Sequence, residues 1–150
     1  MTITPTKTLR LPNVRAEQLE MIRKARGLAS LAETVGYLIN CEIAKGTISE
    51  VVPGVIVETF GPRVLKVMLG ELRFAFDAGQ TREFAAAIRK ATQKGAPRYF
   101  QPSFEVNRRG SGVVITSESG AQHAMSFDVA ADVADQIERA LDEAQNPTDE

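Results

Sequence analysis

The stretch Thr6-Lys7-Thr8-Leu9-Arg10-Leu11-Pro12 decides how the first third of the chain is read. Leu9 and Leu11 share one face and Thr6, Thr8 and Arg10 the other, the alternation of a strand with one buried side. Lys7 interrupts the apolar face, so the inward register is clear only from Leu9. Pro12 ends the strand, because it has no N–H to donate to a ladder. Two short helical patterns follow it, and three such pieces hold too little apolar surface to close a core, so the segment is expected to pair with a second copy of itself.

Asn13 is a fair helix cap, and a helix is expected from Val14 to Arg26 with Ala16, Leu19, Ile22 and Ala25 as its apolar stripe, helped by Met21. Gly27 stands where a left-handed residue closes a helix. Ser30-Leu31-Ala32-Glu33 is a capping box that opens a second helix. Leu31, Val35, Leu38, Ile39 and Ile43 line one face of it, and Gly46 ends it. Gly36 inside this helix costs about 1 kcal/mol relative to alanine. A close approach of another helix would explain it, and so would tolerated drift.

From Glu50-Val51-Val52-Pro53-Gly54 the texture changes. Strands are expected at 55–60, 63–69 and 72–76, then a helix capped by Asp77 and carrying Phe84, Ile88 and Ala91. The order recurs: 99–107 is strand-like, Arg108 to Gly112 a turn, 113–117 and 122–127 strands, and Asp128 the cap of a helix with Val133, Ile137 and Leu141. Phe74-Ala75-Phe76-Asp77 and Met125-Ser126-Phe127-Asp128 stand in equivalent places, as do Phe84 and Val133, Ile88 and Ile137. The expected fold class is therefore α+β, an N-terminal strand-helix-helix unit (1–48) followed by an antiparallel-sheet domain of two βββα units (54–145) and a flexible tail (146–150).

The 150 residues carry 43% hydrophobic and 25% charged side chains, ordinary for a soluble globular protein. No apolar run approaches the ~18–20 residues of a membrane span, and Met1-Thr2-Ile3-Thr4-Pro5 has no secretory pattern. Cys41 is the only cysteine, which excludes an internal disulfide and fits a reducing compartment. The net charge is -1, yet residues 1–50 hold seven Lys/Arg against five Glu, and the rest eleven against fourteen acidic groups. That mild asymmetry favours the N-terminal part as a nucleic-acid face.

Residues 5–47 resemble the ribbon-helix-helix family of DNA-binding proteins. Thr8-Leu9-Arg10-Leu11-Pro12, the first apolar stripe, and Gly27 through Val35 with Leu38-Ile39 carry the resemblance. It implies that two chains pair their strands into an antiparallel ribbon that enters the DNA major groove. Thr6, Thr8 and Arg10 would then read base edges, Arg10 by a bidentate contact to guanine. Lys7, Arg15, Ala29 and Ser30 would hold phosphates, the last two through the start of the second helix. Leu9, Leu11, Val35, Gly36, Leu38 and Ile39 would form the dimer interface.

The C-terminal units are more loosely similar to the repeats of PUR-type and PC4-type single-stranded nucleic-acid binders, which place four strands before the helix where three are counted here. Tyr99, Phe100 and Phe104 beside Arg108 and Arg109 could form a stacking platform. The plainer reading makes the aromatics core and the arginines a solvated hairpin tip. His123 and Cys41 are too few for a metal site, and neither a phosphate-binding glycine loop nor a nucleophile elbow is present. No enzyme activity, cofactor or metal is expected. The expectation is a homodimeric, sequence-specific binder of double-stranded DNA, a transcriptional repressor of bacterial or phage type working in the cytoplasm at the nucleoid. Its C-terminal domain would serve a protein partner or small effector. The alternatives are a protein-binding module, such as an antitoxin or a plasmid or phage accessory factor, and a single-strand binder acting through the C-terminal repeats.

Overall fold

In the computed structural model, residues 7–49, 51–60 and 63–146 are described. They fall into two units that divide at residues 50 and 51.

The first unit holds α1 (Asn13–Arg26) and α2 (Leu31–Ala44). Gly27 adopts the left-handed conformation, φ 67°, and its neighbour Leu28 donates its amide to the Arg23 carbonyl at 3.0 Å. That closure lets the chain reverse in a few residues. Ser30 caps α2 by accepting the Glu33 amide at 3.1 Å. Pro12, not Asn13, is the residue at the start of α1, and no side chain caps it. Proline's fixed φ suits a helix entry, so Asn13 is drawn in as the first helical residue.

The expected strand at 6–11 does not form: residues 7–12 carry no regular structure, and Thr6 lies outside the described residues. None of the described strands pairs with this segment, so it has no ladder to hold it extended.

The second unit contains β1 (Val55–Phe60), β2 (Val64–Leu69), β3 (Leu72–Phe76), α3 (Ala78–Ala91), β4 (Tyr99–Gln101), β5 (Phe104–Arg109), β6 (Gly112–Ser117), β7 (Gln122–Ser126) and α4 (Phe127–Gln145). The strands form two antiparallel sheets, β1-β2-β3 and β4-β5-β6-β7. The fold is α+β, but the two expected βββα units are unequal. The stretch 99–107 breaks at Pro102-Ser103 into two strands that pair back on each other, Tyr99 opposite Val106 and Gln101 opposite Phe104, so the second unit has four strands.

Both helices and the inner faces of both sheets share one core. Leu65, Val67, Leu69, Phe74 and Phe76 come from the first sheet, and Phe104, Val106, Val113, Ile115 and Met125 from the second. Phe84 of α3 sits among Phe74, Phe76 and Phe104, with ring centroids 4.9–5.2 Å apart. Ala130, Val133, Ala134 and Ile137 of α4 complete the core. Asp77 and Gln80 form a full capping box at the start of α3. Asp128 does not cap α4. Ser126 occupies that place, and its hydroxyl donates to the Asp128 carboxylate.

Gly112 begins β6 where the backbone of Met125 crosses so closely that any Cβ would collide with its carbonyl oxygen. Gln136 of α4 stitches the entry of β1, accepting from the Val52 amide at 2.9 Å and donating to the Val55 carbonyl at 3.2 Å. No helix among the described residues is long and apolar enough to cross a membrane.

Candidate nucleic-acid interface

The α1–α2 unit buries almost nothing. No α1 residue is buried, and Thr34 is the one buried residue of α2. Ala16, Leu19 and Ile22 of α1 are half-buried, and so are Tyr37, Leu38 and Cys41 of α2. Ile22, Ala25, Tyr37, Leu38 and Cys41 line an open groove of about 500 Å³ between the helices. Leu31, Val35 and Ile39 stand on a different face at four-residue spacing, exposed, as are Leu11, Val14 and Met21. Leu9 is 78% exposed. Such a run of bare apolar side chains over one small unit marks an interaction surface.

These positions divide the expected dimer residues. Leu9, Leu11, Val35 and Ile39 are on the uncovered surface, whereas Leu38 lines the groove between the two helices and Gly36 is half-buried.

The basic groups are split in the same way. Lys7, Thr8 and Arg10 are exposed and make no hydrogen bond or ion pair among the described residues. Arg15 donates to Gln18 at 2.8 Å and is otherwise open to solvent. Arg23 is committed to the fold: it bonds the Glu20 carboxylate and reaches the Leu28 carbonyl at 3.1 Å. The hydrogen bond from Arg23 holds the Glu20 carboxyl below its usual range. Arg26 lies over the Tyr37 ring at 5.2 Å.

At the start of α2 the Ala29 amide donates to the Glu33 carboxylate at 2.8 Å. The Ser30 hydroxyl is engaged with the Glu33 amide. The amides left for an anion in this first turn are those of Leu31 and Ala32, at the positive end of the helix.

In the second unit the aromatic-and-arginine cluster separates onto opposite faces of one sheet. Phe104 is buried, and Tyr99 stacks on it at 5.8 Å on the inner side. Phe100 points outward, 66% exposed, with the Arg98 guanidinium 5.6 Å from its ring centre. Arg109 is also outward. With Arg98, Glu105, Asn107, Thr116 and Gln122 it lines a polar hollow of about 230 Å³. Arg98 pairs with Glu105 at 2.6 Å across its rim.

Arg108 turns inward. It lies 4.2 Å above the Phe127 ring and donates to the Thr92 carbonyl at the C-terminus of α3 at 2.8 Å. The solvated-tip reading therefore holds for Arg109 and fails for Arg108. The hairpin closes with Arg109 opposite Gly112, which sends Arg108 to the core side.

His123 is half-buried on the inner side of β7 against Gly70, and burial alone pushes its pKa down. Cys41 lies in the other unit, and no group of three or more His, Cys, Asp or Glu able to hold a metal occurs among the described residues. Comparison of the chain with protein-family models, with curated proteins and with solved structures gives no match.

Proposed function

We propose that the chain is a homodimeric, sequence-specific binder of double-stranded DNA that acts as a transcriptional repressor. In this reading two copies pair their 6–11 segments into a ribbon that enters the major groove. Thr6, Thr8 and Arg10 of each copy face base edges, and Lys7 and Arg15 meet phosphates. The start of α2 offers a further phosphate contact at Ser30 through the Leu31 and Ala32 amides.

The observation that carries the proposal is the coreless α1–α2 unit. Two capped helices with Leu9, Leu11, Leu31, Val35 and Ile39 uncovered need a partner surface. The segment before them alternates apolar and DNA-competent side chains, and Lys7, Thr8 and Arg10 make no hydrogen bond or ion pair among the described residues. Pairing two copies answers both, because it gives the segment a ladder and the apolar stripe a cover.

Selection of bound sequences from random duplex DNA with the full chain tests the proposal. It is expected to return a motif of two related half-sites, as a two-fold ribbon requires. Recovery of unenriched sequence would refute it.

A second reading, single-strand binding by the four-stranded sheet, is favoured by one feature: Phe100 stands exposed beneath Arg98, beside the polar hollow that Arg109 and Asn107 line. Competition between duplex and single-stranded DNA, with Phe100→Ala as the comparison, separates the two.

A further inference from the structure

The outer face of the three-stranded sheet is unlike that of its sister. In β1 the outward side chains are Ile56, Glu58 and Phe60, and in β2 they are Met68, Lys66 and Val64, because Val55, Leu65, Val67 and Leu69 fill the core side. The register sets them in three cross-strand rows: Ile56 beside Met68, Glu58 beside Lys66, Phe60 beside Val64. Ile56 and Val64 are exposed, and Phe60 is 57% exposed. The Lys66 ammonium lies 5.8 Å from the Phe60 ring centre, which places both on this outer face. Among the described residues Glu58 has no ion-pair partner. Over β1 and β2 the patch is thus an apolar row, a charged row of opposite signs, and a second apolar row, and β3 extends the face with Arg73 beside Met68 and Ala75 beside Lys66.

We infer that this face packs against the same face of a second copy of the chain, about a two-fold axis that runs parallel to the strands between β1 and β2. That axis lays β1 of each copy over β2 of the other. Ile56 then meets Met68 of the second copy, Phe60 meets Val64, and Glu58 meets Lys66, each contact occurring twice. The charges select this axis. A two-fold axis across the strands would set Glu58 over Glu58 and Lys66 over Lys66, an arrangement that like charges oppose. Aligned sheets about 10 Å apart allow these side chains to interdigitate.

Four apolar side chains a side make a contact smaller than the ~1,000 Å² that a free-standing interface needs. The inference therefore rests on the pairing of two chains through their first units, which raises the local concentration of one sheet near the other.

The test is a directed crosslink. Full chains carrying Cys41→Ser with Glu58→Cys are co-expressed with full chains carrying Cys41→Ser with Lys66→Cys, and treated with a short bis-maleimide, because facing sheets stand too far apart for a direct disulfide. Each mixed pair keeps one Glu58–Lys66 contact and replaces the other by the two thiols. The mixed crosslinked dimer is expected as the main product. Thr116→Cys, on the outer face of the other sheet, takes the place of Lys66→Cys as the control and is expected to give little. A mixed crosslink no more abundant than this control overturns the inference. Sedimentation of the untreated chains separates the two causes. Dimers without the 58–66 product refute the sheet contact alone, and monomers without it refute the pairing of the first units as well.

Discussion

The carboxylate of Glu33 accepts the amide of Ala29 at 2.8 Å, while the Glu33 amide donates to the hydroxyl of Ser30 at 3.1 Å. This reciprocal pair fixes the turn that carries the chain from α1 into α2, and with it the direction in which Leu31, Val35 and Ile39 face. Ser30→Ala removes half of the pair and is expected to cost about 1 kcal/mol of stability. Urea denaturation of the full chain measures it. An unchanged midpoint for the transition of the first unit would contradict the account.

Arg108 holds two elements at once, the C-terminus of α3 through Thr92 and the start of α4 through Phe127. Arg108→Ala is expected to cost roughly 1.5–3 kcal/mol, the range for a hydrogen bond to a charged group. Arg109→Ala, whose side chain is outside the core, is expected to change stability by less than about 0.5 kcal/mol. Equal losses for the two variants, by denaturant titration, would contradict the opposed orientation of these neighbours.

Little of that orientation is legible in the sequence. Whether Arg108 or Arg109 faces the core depends on one residue of hairpin register, and a slip of one exchanges the two faces. The extra strand β4 does have a signal in the sequence: Pro102 interrupts 99–107 where a continuous strand cannot accept it. Local chemistry was more legible. Gly27, the Ser30–Glu33 box and the cap at Asp77 all involve groups within a few residues of one another, so the sequence alone specifies them. Asp128 and Asn13 show the limit, since Ser126 and Pro12 lie equally near and take the cap positions. The 6–11 segment is a different case. Its alternation is plain, but alternation does not supply a neighbouring strand, and none of the described strands pairs with residues 7–12.

His123 links stability to pH. Burial lowers its folded-state pKa below the ordinary value of 6.5, so the folded chain binds fewer protons than the unfolded one. Stability is full above about 6.5 and falls as the pH drops from there toward the lowered folded value. Asp132 acts in the opposite sense: burial, then Asp128 and Asp135, raise its carboxyl above the usual range, so its contribution is lost as the pH rises through that raised value. His123→Asn is expected to flatten the fall in denaturation midpoint below pH 6.5. A slope identical to that of the unsubstituted chain would contradict the assignment.

Gly112→Ala sets a methyl against the Met125 carbonyl and is expected to destabilise the second unit by roughly 1–3 kcal/mol. Gly95→Ala, where φ is 78° but nothing stands within 4 Å, tests backbone strain alone and is expected to cost less. Thermal unfolding of the two variants compares them, and an equal loss would deny the close approach of β6 and β7.

The central claim is that Arg10 reads DNA from a paired ribbon. The most direct measurement is the affinity of the full chain and of Arg10→Ala for the selected duplex and for each single-base variant of it, at one fixed salt concentration. Loss of a bidentate base contact is expected to weaken binding by about 1–3 kcal/mol and to abolish discrimination at one base pair of each half-site. The dimer mass in solution should be unchanged. An Arg10→Ala chain that binds the selected site with unaltered affinity and unaltered discrimination at every position would contradict the claim.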